Sequence, residues 1–150
     1  MKYAYAYITG ENKINGVVTF RQKKNGVLVT AIIYNLPTSN EICKKDIFAF
    51  HIHGGSHCTG TKDDLYAAAN GHFDKNKCPH PSHSGDMPPL FGNDGTAYLS
   101  FLTNRFTVDD IIGKTVIIHS SSDDFKSQPA GNPGKKIACG EIKKSFFLII

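Results

Sequence analysis

Apolar and polar residues alternate along much of the chain, which is the pattern of strands with one buried face. The alternation is clear in "YAYAYITG" at the start, and "NGVVTFRQ" is followed by the β-rich run "KKNGVLVTAIIYNLP". Asn25-Gly26 predicts a hairpin here, with a two-residue turn whose central residues have positive φ. Further strands are predicted at "KKDIFAFHIH", "DGTAYLSFLT", "GKTVIIHS" and "ACGEIKKSFFLII", whereas "TVDDIIGK" allows only about one helical turn.

Two long segments interrupt the strands. Residues 54–94 are rich in Gly, Pro, Asn and Asp, and residues 121–138 carry "SSDDFKSQPAGNPGKK". Unstructured segments of this length are uncommon in compact domains and are usually functional loops. Many short strands with two long loops favour an all-β antiparallel sandwich or barrel. The chain, residues 1–150, is most simply one domain, long enough to bury a core.

The charge pattern argues against a nucleic-acid partner. The formal net charge is +4 at pH 7, and the lysine pairs are scattered without a basic stripe interleaved with aromatic residues. A modest positive field can still attract a small anion. No apolar run reaches transmembrane length, so no membrane association is expected. The apolar end "FFLII" is interpreted as a strand end that could take part in a subunit contact.

Six of the seven histidines fall into two sets with recognisable spacing. His51 and His53 lie two apart in a predicted strand, so their side chains share one face. Their backbone positions are about 6.6 Å apart, a span that two imidazoles can close around one ion. The second set lies in the first long loop and comprises His72, His80, His83 and Asp86. Three imidazoles and one carboxylate match a four-coordinate zinc site. His119 ends an apolar strand, where an isolated histidine is more often a polar strand end than a ligand.

Five motifs occur in a specific order: "FHIH", "NGHF", "HSGD", "VIIH" followed by "SDD", and "GKKIACGEI". With these motifs the chain resembles the copper–zinc superoxide dismutases from about residue 14 to residue 143. It is similar to bacterial members in the short gap between His53 and Cys58. The resemblance implies an eight-stranded Greek-key β-barrel, an immunoglobulin-like sandwich, with two long functional loops.

The resemblance also implies the metal ligands. Copper is expected at His51, His53, His72 and His119, and zinc at His72, His80, His83 and Asp86. His72 would bridge the two ions and carry a proton during catalysis. Asp123 is expected to join a copper histidine to a zinc histidine, which fixes the tautomer and orientation of both.

The implied activity is the conversion of superoxide to oxygen and hydrogen peroxide by Cu(II)/Cu(I) cycling, with zinc in a structural role. Superoxide is then the substrate, and a homodimer is left open. The alternative is a non-catalytic copper- and zinc-binding module of the same fold. Retention of all the metal ligands favours the enzyme, because a scaffold would not need the bridging residue.

Lys136 departs from the family pattern. It stands where the family usually has an arginine poised over copper to draw in superoxide. The positive charge is kept, but the planar fork with its paired hydrogen bonds is not. A working enzyme is therefore expected, slower than one with arginine, with a rate that falls as salt screens the guiding charges.

Four cysteines allow three complete pairings, and the residues alone do not choose among them. The resemblance implies a Cys58–Cys139 disulfide and leaves Cys43 and Cys78 as free thiols. A disulfide implies an oxidising compartment or an unusually protected bond. The start "MKYAYAYITG" lacks the features of a signal peptide. The expected setting is therefore extracellular, periplasmic or cell-envelope if a leader was removed, and otherwise cytoplasmic.

Overall fold

The computed structural model describes residues 1–147 and is almost entirely β-structure, as predicted. Its ten strands are β1 Tyr3–Gly10, β2 Asn15–Lys23, β3 Gly26–Tyr34, β4 Ile47–Phe48, β5 Phe50–His53, β6 Leu90–Phe91, β7 Ala97–Thr103, β8 Thr115–His119, β9 Lys136–Glu141 and β10 Lys143–Ser145. The helix α1, Val108–Ile111, is a single turn. One residue, Ala49, separates β4 from β5, and one residue, Ile142, separates β9 from β10. Each pair therefore continues one strand direction, which reconciles ten short strands with the eight expected.

The strands form one large antiparallel sheet and one small one. The large sheet has the order β5-β8-β9-β1-β2-β3-β7, and β10 also pairs with β1. The small sheet pairs β4 with β6, and β6 packs against β7. Neighbours such as β3 and β7 are distant in sequence, so long connections cross the ends of the sheet as in Greek-key folds. The sheet curls into a half-barrel that agrees with the predicted β-barrel fold class.

The core lies inside the curled sheet and follows the alternation of the sequence. In β3, Val27, Val29, Ala31 and Ile33 are fully buried, whereas the residues between them are partly exposed. By contrast, all five residues of β8 are buried. One face of β8 therefore belongs to the barrel core, and the other is covered by loops.

The first hairpin differs from its prediction by one residue. Lys23 pairs with Gly26, so the turn residues are Lys24 and Asn25 rather than Asn25 and Gly26. Neither turn residue has positive φ; Gly26, the first residue of β3, has φ +147° instead. A Cβ on Gly26 would also collide with the backbone of Thr103. The glycine is thus required by the close approach of β7 and not by the centre of the turn.

The two predicted loops are real but not wholly irregular. The first contains β6 and a short 3-10 turn at Ala67–Ala69, and the second ends where β9 begins at Lys136. At the C-terminus, β10 stops at Ser145, and Phe146 and Phe147 are exposed beyond it. The strand predicted through "FFLII" is therefore shorter than expected, and residues 148–150 lie outside the described part of the chain. Within residues 1–147, no helix has the length and apolar character needed to cross a membrane.

A disulfide ties the first loop to the sheet. Cys58 is bonded to Cys139 of β9 across a sequence separation of 81 residues, with Cα atoms 5.7 Å apart. Cys139 is buried beside Ile117 and Ala69. Cys43 and Cys78 are free. The bond is the pairing that the family resemblance implied, and it holds the beginning of the long loop against the barrel.

Replacing Cys58 with serine should lower the free energy of unfolding of the metal-free protein by about 4–5 kcal/mol, because a long closed loop restricts the unfolded chain. Urea unfolding at neutral pH measures this change. Cys43→Ser is the matched control, since Cys43 is an exposed free thiol. Equal stabilities for the two variants would contradict a stabilising role for the disulfide.

Candidate metal centre

The edge strand β5 is the platform of the site. Its inner neighbour is β8, and its other edge is paired with the first long loop: Ile52 N–H donates to Gly85 O at 2.9 Å, and Phe73 N–H donates to Ile52 O at 2.8 Å. A Cβ on Gly85 would collide with the carbonyl of Ile52, so only glycine permits this approach. The loop thus satisfies backbone groups that an edge strand would otherwise leave unpaired.

This pairing brings the loop ligands to the strand ligands. His53 and His72 form one isolated β-bridge, and His51 and Asp86 form another. On the opposite edge, β8 ends at His119, whose N–H donates to Ala49 O at 3.0 Å. Residues far apart in sequence therefore meet around β5. His51, His53 and His119 are all buried there.

Four histidines form the first group: His51, His53, His72 and His119. Each has a possible ligand nitrogen, and the four nitrogens lie within 4.8 Å of one another. His53 Nδ1–H donates to Asn70 O at 2.6 Å, and His119 Nδ1–H donates to Gly134 O at 3.2 Å. Because these carbonyls can only accept, the Nε2 lone pairs remain free, and the two Nε2 atoms face each other at 3.4 Å.

The second group is more compact and consists of His72, His80, His83 and Asp86. The Asp86 carboxylate lies between three ring nitrogens: His72 Nδ1 at 2.8 Å, His80 Nδ1 at 3.1 Å and His83 Nδ1 at 3.2 Å. All four possible ligand atoms again lie within 4.8 Å of one another. Three nitrogens and one carboxylate oxygen are the ligand set of a tetrahedral zinc site.

His72 belongs to both groups. Its Nδ1 faces Asp86, and its Nε2 on the other side of the ring is buried without a hydrogen-bond partner. His51 Nδ1 and His80 Nδ1 are likewise buried without a hydrogen bond, because each ring donates its proton from Nε2 to Asp123; the His80 Nδ1 lone pair therefore faces the Asp86 carboxylate without a proton between them. An unsatisfied buried polar atom costs about 1–3 kcal/mol. Three such nitrogens aimed into two ligand clusters fit a pair of metal ions, which would supply the missing partners.

Burial keeps three imidazoles of the first group, those of His51, His53 and His119, neutral and therefore able to bind a cation. Burial lowers the pKa of His51 and His53 below the ordinary value, although the hydrogen bonds to Asp123 and Asn70 partly oppose it. The pKa of His119 falls to about 3, chiefly through burial and then through the nearby His51. All three rings carry free lone pairs at neutral pH.

Asp123 connects the two groups. Its Oδ2 accepts from His51 Nε2–H at 2.8 Å and its Oδ1 accepts from His80 Nε2–H at 2.7 Å. Burial alone would raise the pKa of Asp123, but these hydrogen bonds and one from Phe125 N–H outweigh it and hold the pKa well below its usual range. The ionised carboxylate fixes both rings with Nδ1 directed into the clusters.

Comparison with known proteins identifies the family. The model of the copper/zinc superoxide dismutase family matches residues 14–142. The chain belongs to this family. It is 33% identical to superoxide dismutase [Cu-Zn] 2 of Aquifex aeolicus, covering 91% of this chain and 83% of that protein. It is 31% identical to the superoxide dismutase [Cu-Zn] of Deinococcus radiodurans, covering 85% and 76%. For the superoxide dismutase [Cu-Zn] of Schizosaccharomyces pombe the identity is 30%, covering 95% and 97%.

These matches decide between the two interpretations of the sequence. The matched family is one of oxidoreductases, and the relatives are named as enzymes. The two histidine groups provide places for both metals. A catalytic copper/zinc protein is therefore favoured over a non-catalytic metal-binding module.

Lys136 lies in the same cavity lining as His119 of the first group, and its ammonium contacts the first long loop. Its Nζ donates to Asp64 Oδ2 at 2.9 Å and to Tyr66 O at 3.3 Å. It lines a cavity of about 390 Å³ together with His119, Gly134 and Asp64. The ammonium is therefore held toward the first loop, where it still contributes positive potential beside His119.

Two further residues hold the second group in place, and no sequence motif indicates either. Arg105 Nη1 donates to the carbonyls of Pro81 at 2.7 Å and His83 at 3.2 Å. Gln128 accepts from His80 N–H at 2.9 Å and donates to His80 O at 2.7 Å. Both contacts are to backbone atoms, so no side-chain motif reveals them. His57, beside the disulfide, is exposed and belongs to neither group.

Asp123→Ala should weaken zinc binding about 10- to 100-fold, because His80 loses the acceptor that fixes its tautomer. Competition with a chromophoric chelator measures the affinity. Asp124→Asn is the control, since the Asp124 carboxylate accepts only from Lys126 and Ser127 in its own turn. Equal zinc affinities for the two variants would show that Asp123 does not organise the zinc group.

Arg105→Ala should weaken zinc binding about five-fold, corresponding to about 1 kcal/mol, because the backbone between Pro81 and His83 loses a charged donor. Arg105→Lys should lie between this variant and the wild type, since one ammonium can replace part of the contact. The same chelator competition measures both. Unchanged affinity in Arg105→Ala would mean that the loop holds its shape without the guanidinium.

Proposed function

We propose that this protein converts superoxide to oxygen and hydrogen peroxide with one copper and one zinc ion bound. The observation that carries the proposal is the shared ring of His72, which has one nitrogen in each of two buried ligand clusters. A structural zinc site alone would need only the second cluster. The first cluster contains four imidazoles, one of which, His119, lines a cavity, and it has the composition of a redox copper site.

Copper would be held by the first group, through His51 Nδ1, His53 Nε2, His72 Nε2 and His119 Nε2. Copper supplies one-electron chemistry by alternating between Cu(II) and Cu(I). The protein holds three of these rings in fixed tautomers, since His51, His53 and His119 each donate their other ring proton to an oxygen. The rings keep their orientation through both oxidation states because none of these acceptors changes charge.

Zinc would be held by the second group, through the Nδ1 atoms of His72, His80 and His83 and a carboxylate oxygen of Asp86. Its role is to orient His72 and set the basicity of that ring. When it is not bound to copper, the buried His72 Nε2 would take up a proton from water and donate it to the reduced product.

Lys136 contributes to substrate capture in this proposal. Superoxide is a small anion, and the ammonium lies in the cavity beside His119. Its single charge attracts the anion without the bidentate recognition that a guanidinium provides. We infer further that residues 1–150 form one catalytic domain without a nucleic-acid or membrane partner. A homodimer remains a prediction that light scattering can test.

Loading the metal-free protein with zinc and then copper should give one equivalent of each and a rapid loss of superoxide in stopped-flow absorbance. His119→Ala should retain zinc but lose copper affinity and nearly all activity. His57→Ala is the matched control, because His57 is exposed and outside both groups. Stoichiometric copper without superoxide decay above background would leave only a metal-binding module.

Lys136→Ala should lower the rate of superoxide decay several-fold at low salt and make the rate less sensitive to ionic strength, since a guiding charge is removed. Lys135→Ala is the control, because Lys135 pairs with Glu11 and is more exposed. An unchanged rate and salt dependence in Lys136→Ala would remove the guiding role.

A further inference from the structure

The ammonium of Lys136 does not face the cavity as an unpaired charge. Asp64 Oδ2 accepts from Lys136 Nζ at 2.9 Å, and the carbonyl of Tyr66 accepts from the same ammonium at 3.3 Å. The Lys136 side chain is 17% exposed, whereas that of Asp64 is 43% exposed. The Asp64 carboxylate therefore lies on the solvent side of the ion pair. An anion that enters from solvent meets this negative charge before it reaches the ammonium.

Opposite charges are balanced throughout the lining of this cavity. The basic residues in the lining are Lys62, Lys135 and Lys136, and the acidic ones are Glu11, Asp63 and Asp64. Two of the lysines are paired, Lys135 with Glu11 at 3.1 Å and Lys136 with Asp64. The approach to His119 is thus close to neutral overall, although it would be positive if the carboxylates were absent.

Asp64 acts on the same space as His119. Its carboxylate remains ionised at neutral pH, because the hydrogen bond from Lys136 lowers its pKa, and the hydrogen bond from Tyr66 N–H acts in the same direction. It also accepts from Tyr66 N–H at 3.0 Å, which keeps the carboxylate turned toward Lys136. Asp63 lies next to it in the same cavity lining, is exposed and has no ion pair among the described residues.

We propose that Asp64 sets the strength of anion capture at this site, by holding the Lys136 ammonium toward the first loop and cancelling much of its field in the cavity. The inference rests on the proposed function only in naming superoxide as the anion. The effect of Asp64 on the binding of other small anions does not depend on that function. Asp64 is a positioning residue here, since it acts through Lys136 and does not contact the substrate.

Replacing Asp64 with asparagine tests the proposal without removing a fold determinant. Asparagine has one carbonyl oxygen, so it can accept from Tyr66 N–H but then turns an amide donor toward Lys136. The ammonium is released and its charge is no longer neutralised. Removal of one unit charge from the cavity lining, in surroundings largely screened by water, corresponds to about a two- to four-fold change in anion capture.

The probe is azide, a small monoanion that binds Cu(II) and changes its visible absorption. In the copper- and zinc-loaded protein at low salt, Asp64→Asn should bind azide about two- to four-fold more tightly and raise kcat/KM for superoxide by a similar factor. Both gains should shrink at high ionic strength. Asp63→Asn makes the same change in net charge and should give a clearly smaller effect. Asp64→Glu keeps the charge and should behave as the wild type.

The outcomes separate this inference from the proposed function. If Asp64→Asn and Asp63→Asn change azide affinity equally, or if Asp64→Asn weakens azide binding, the inference about Asp64 is wrong even when superoxide is consumed. If azide affinity rises selectively in Asp64→Asn but no variant consumes superoxide, the inference about anion capture holds and the proposed function fails.

Discussion

The backbone pairing of Ile52 with the first long loop is the constraint on which the site depends. Across the outer edge of β5, Ile52 N–H donates to Gly85 O, and Ile52 O accepts from Phe73 N–H. These two bonds place His72 and Asp86 directly beside His53 and His51. Without this pairing the loop ligands would have no fixed position relative to the strand ligands. Arg105, Gln128 and the Cys58–Cys139 disulfide then hold the parts of the chain that surround it.

The site concentrates unfavourable features that only a bound cation resolves. Neutral imidazoles crowd together in a buried space, and three of their nitrogens have no hydrogen-bond partner. Asp123 supplies a buried negative charge that accepts from one ring of each group, His51 and His80. Such an arrangement is costly for a protein without metal and well suited to one with metal, because each hydrogen bond leaves a lone pair directed into a cluster. The same hydrogen bonds therefore hold the ligands ready for a metal ion and make the site unfavourable without one.

The sequence predicted the strands and the ligand residues of the site better than it predicted the residues that hold them in place. Alternating residues located the main strands, and spacing located the His51–His53 pair and the ligand set in the first loop, because side-chain types record these features directly. The place of His72 and His119 in the copper set came from the family resemblance. The break at Ala49 was not predicted, since it arises from backbone hydrogen bonds between Ala49 and residues 119 and 121. Arg105 and Gln128 were missed for the same reason: they contact carbonyl and amide groups that every residue carries. The partner of Lys136 was also hidden, because Asp64 is 72 residues away in sequence.

The central claim is that one imidazole, His72, lies between two different metal ions. Anomalous X-ray diffraction at the copper and zinc absorption edges, on crystals of the oxidised, metal-loaded protein, tests it most directly. The account predicts a copper peak beside the unpaired nitrogens of His51, His53 and His119, and a zinc peak among His80, His83 and Asp86. The His72 ring should lie between them with Nε2 toward copper and Nδ1 toward zinc. Copper in the second group, or a His72 ring that contacts neither ion, would contradict the account.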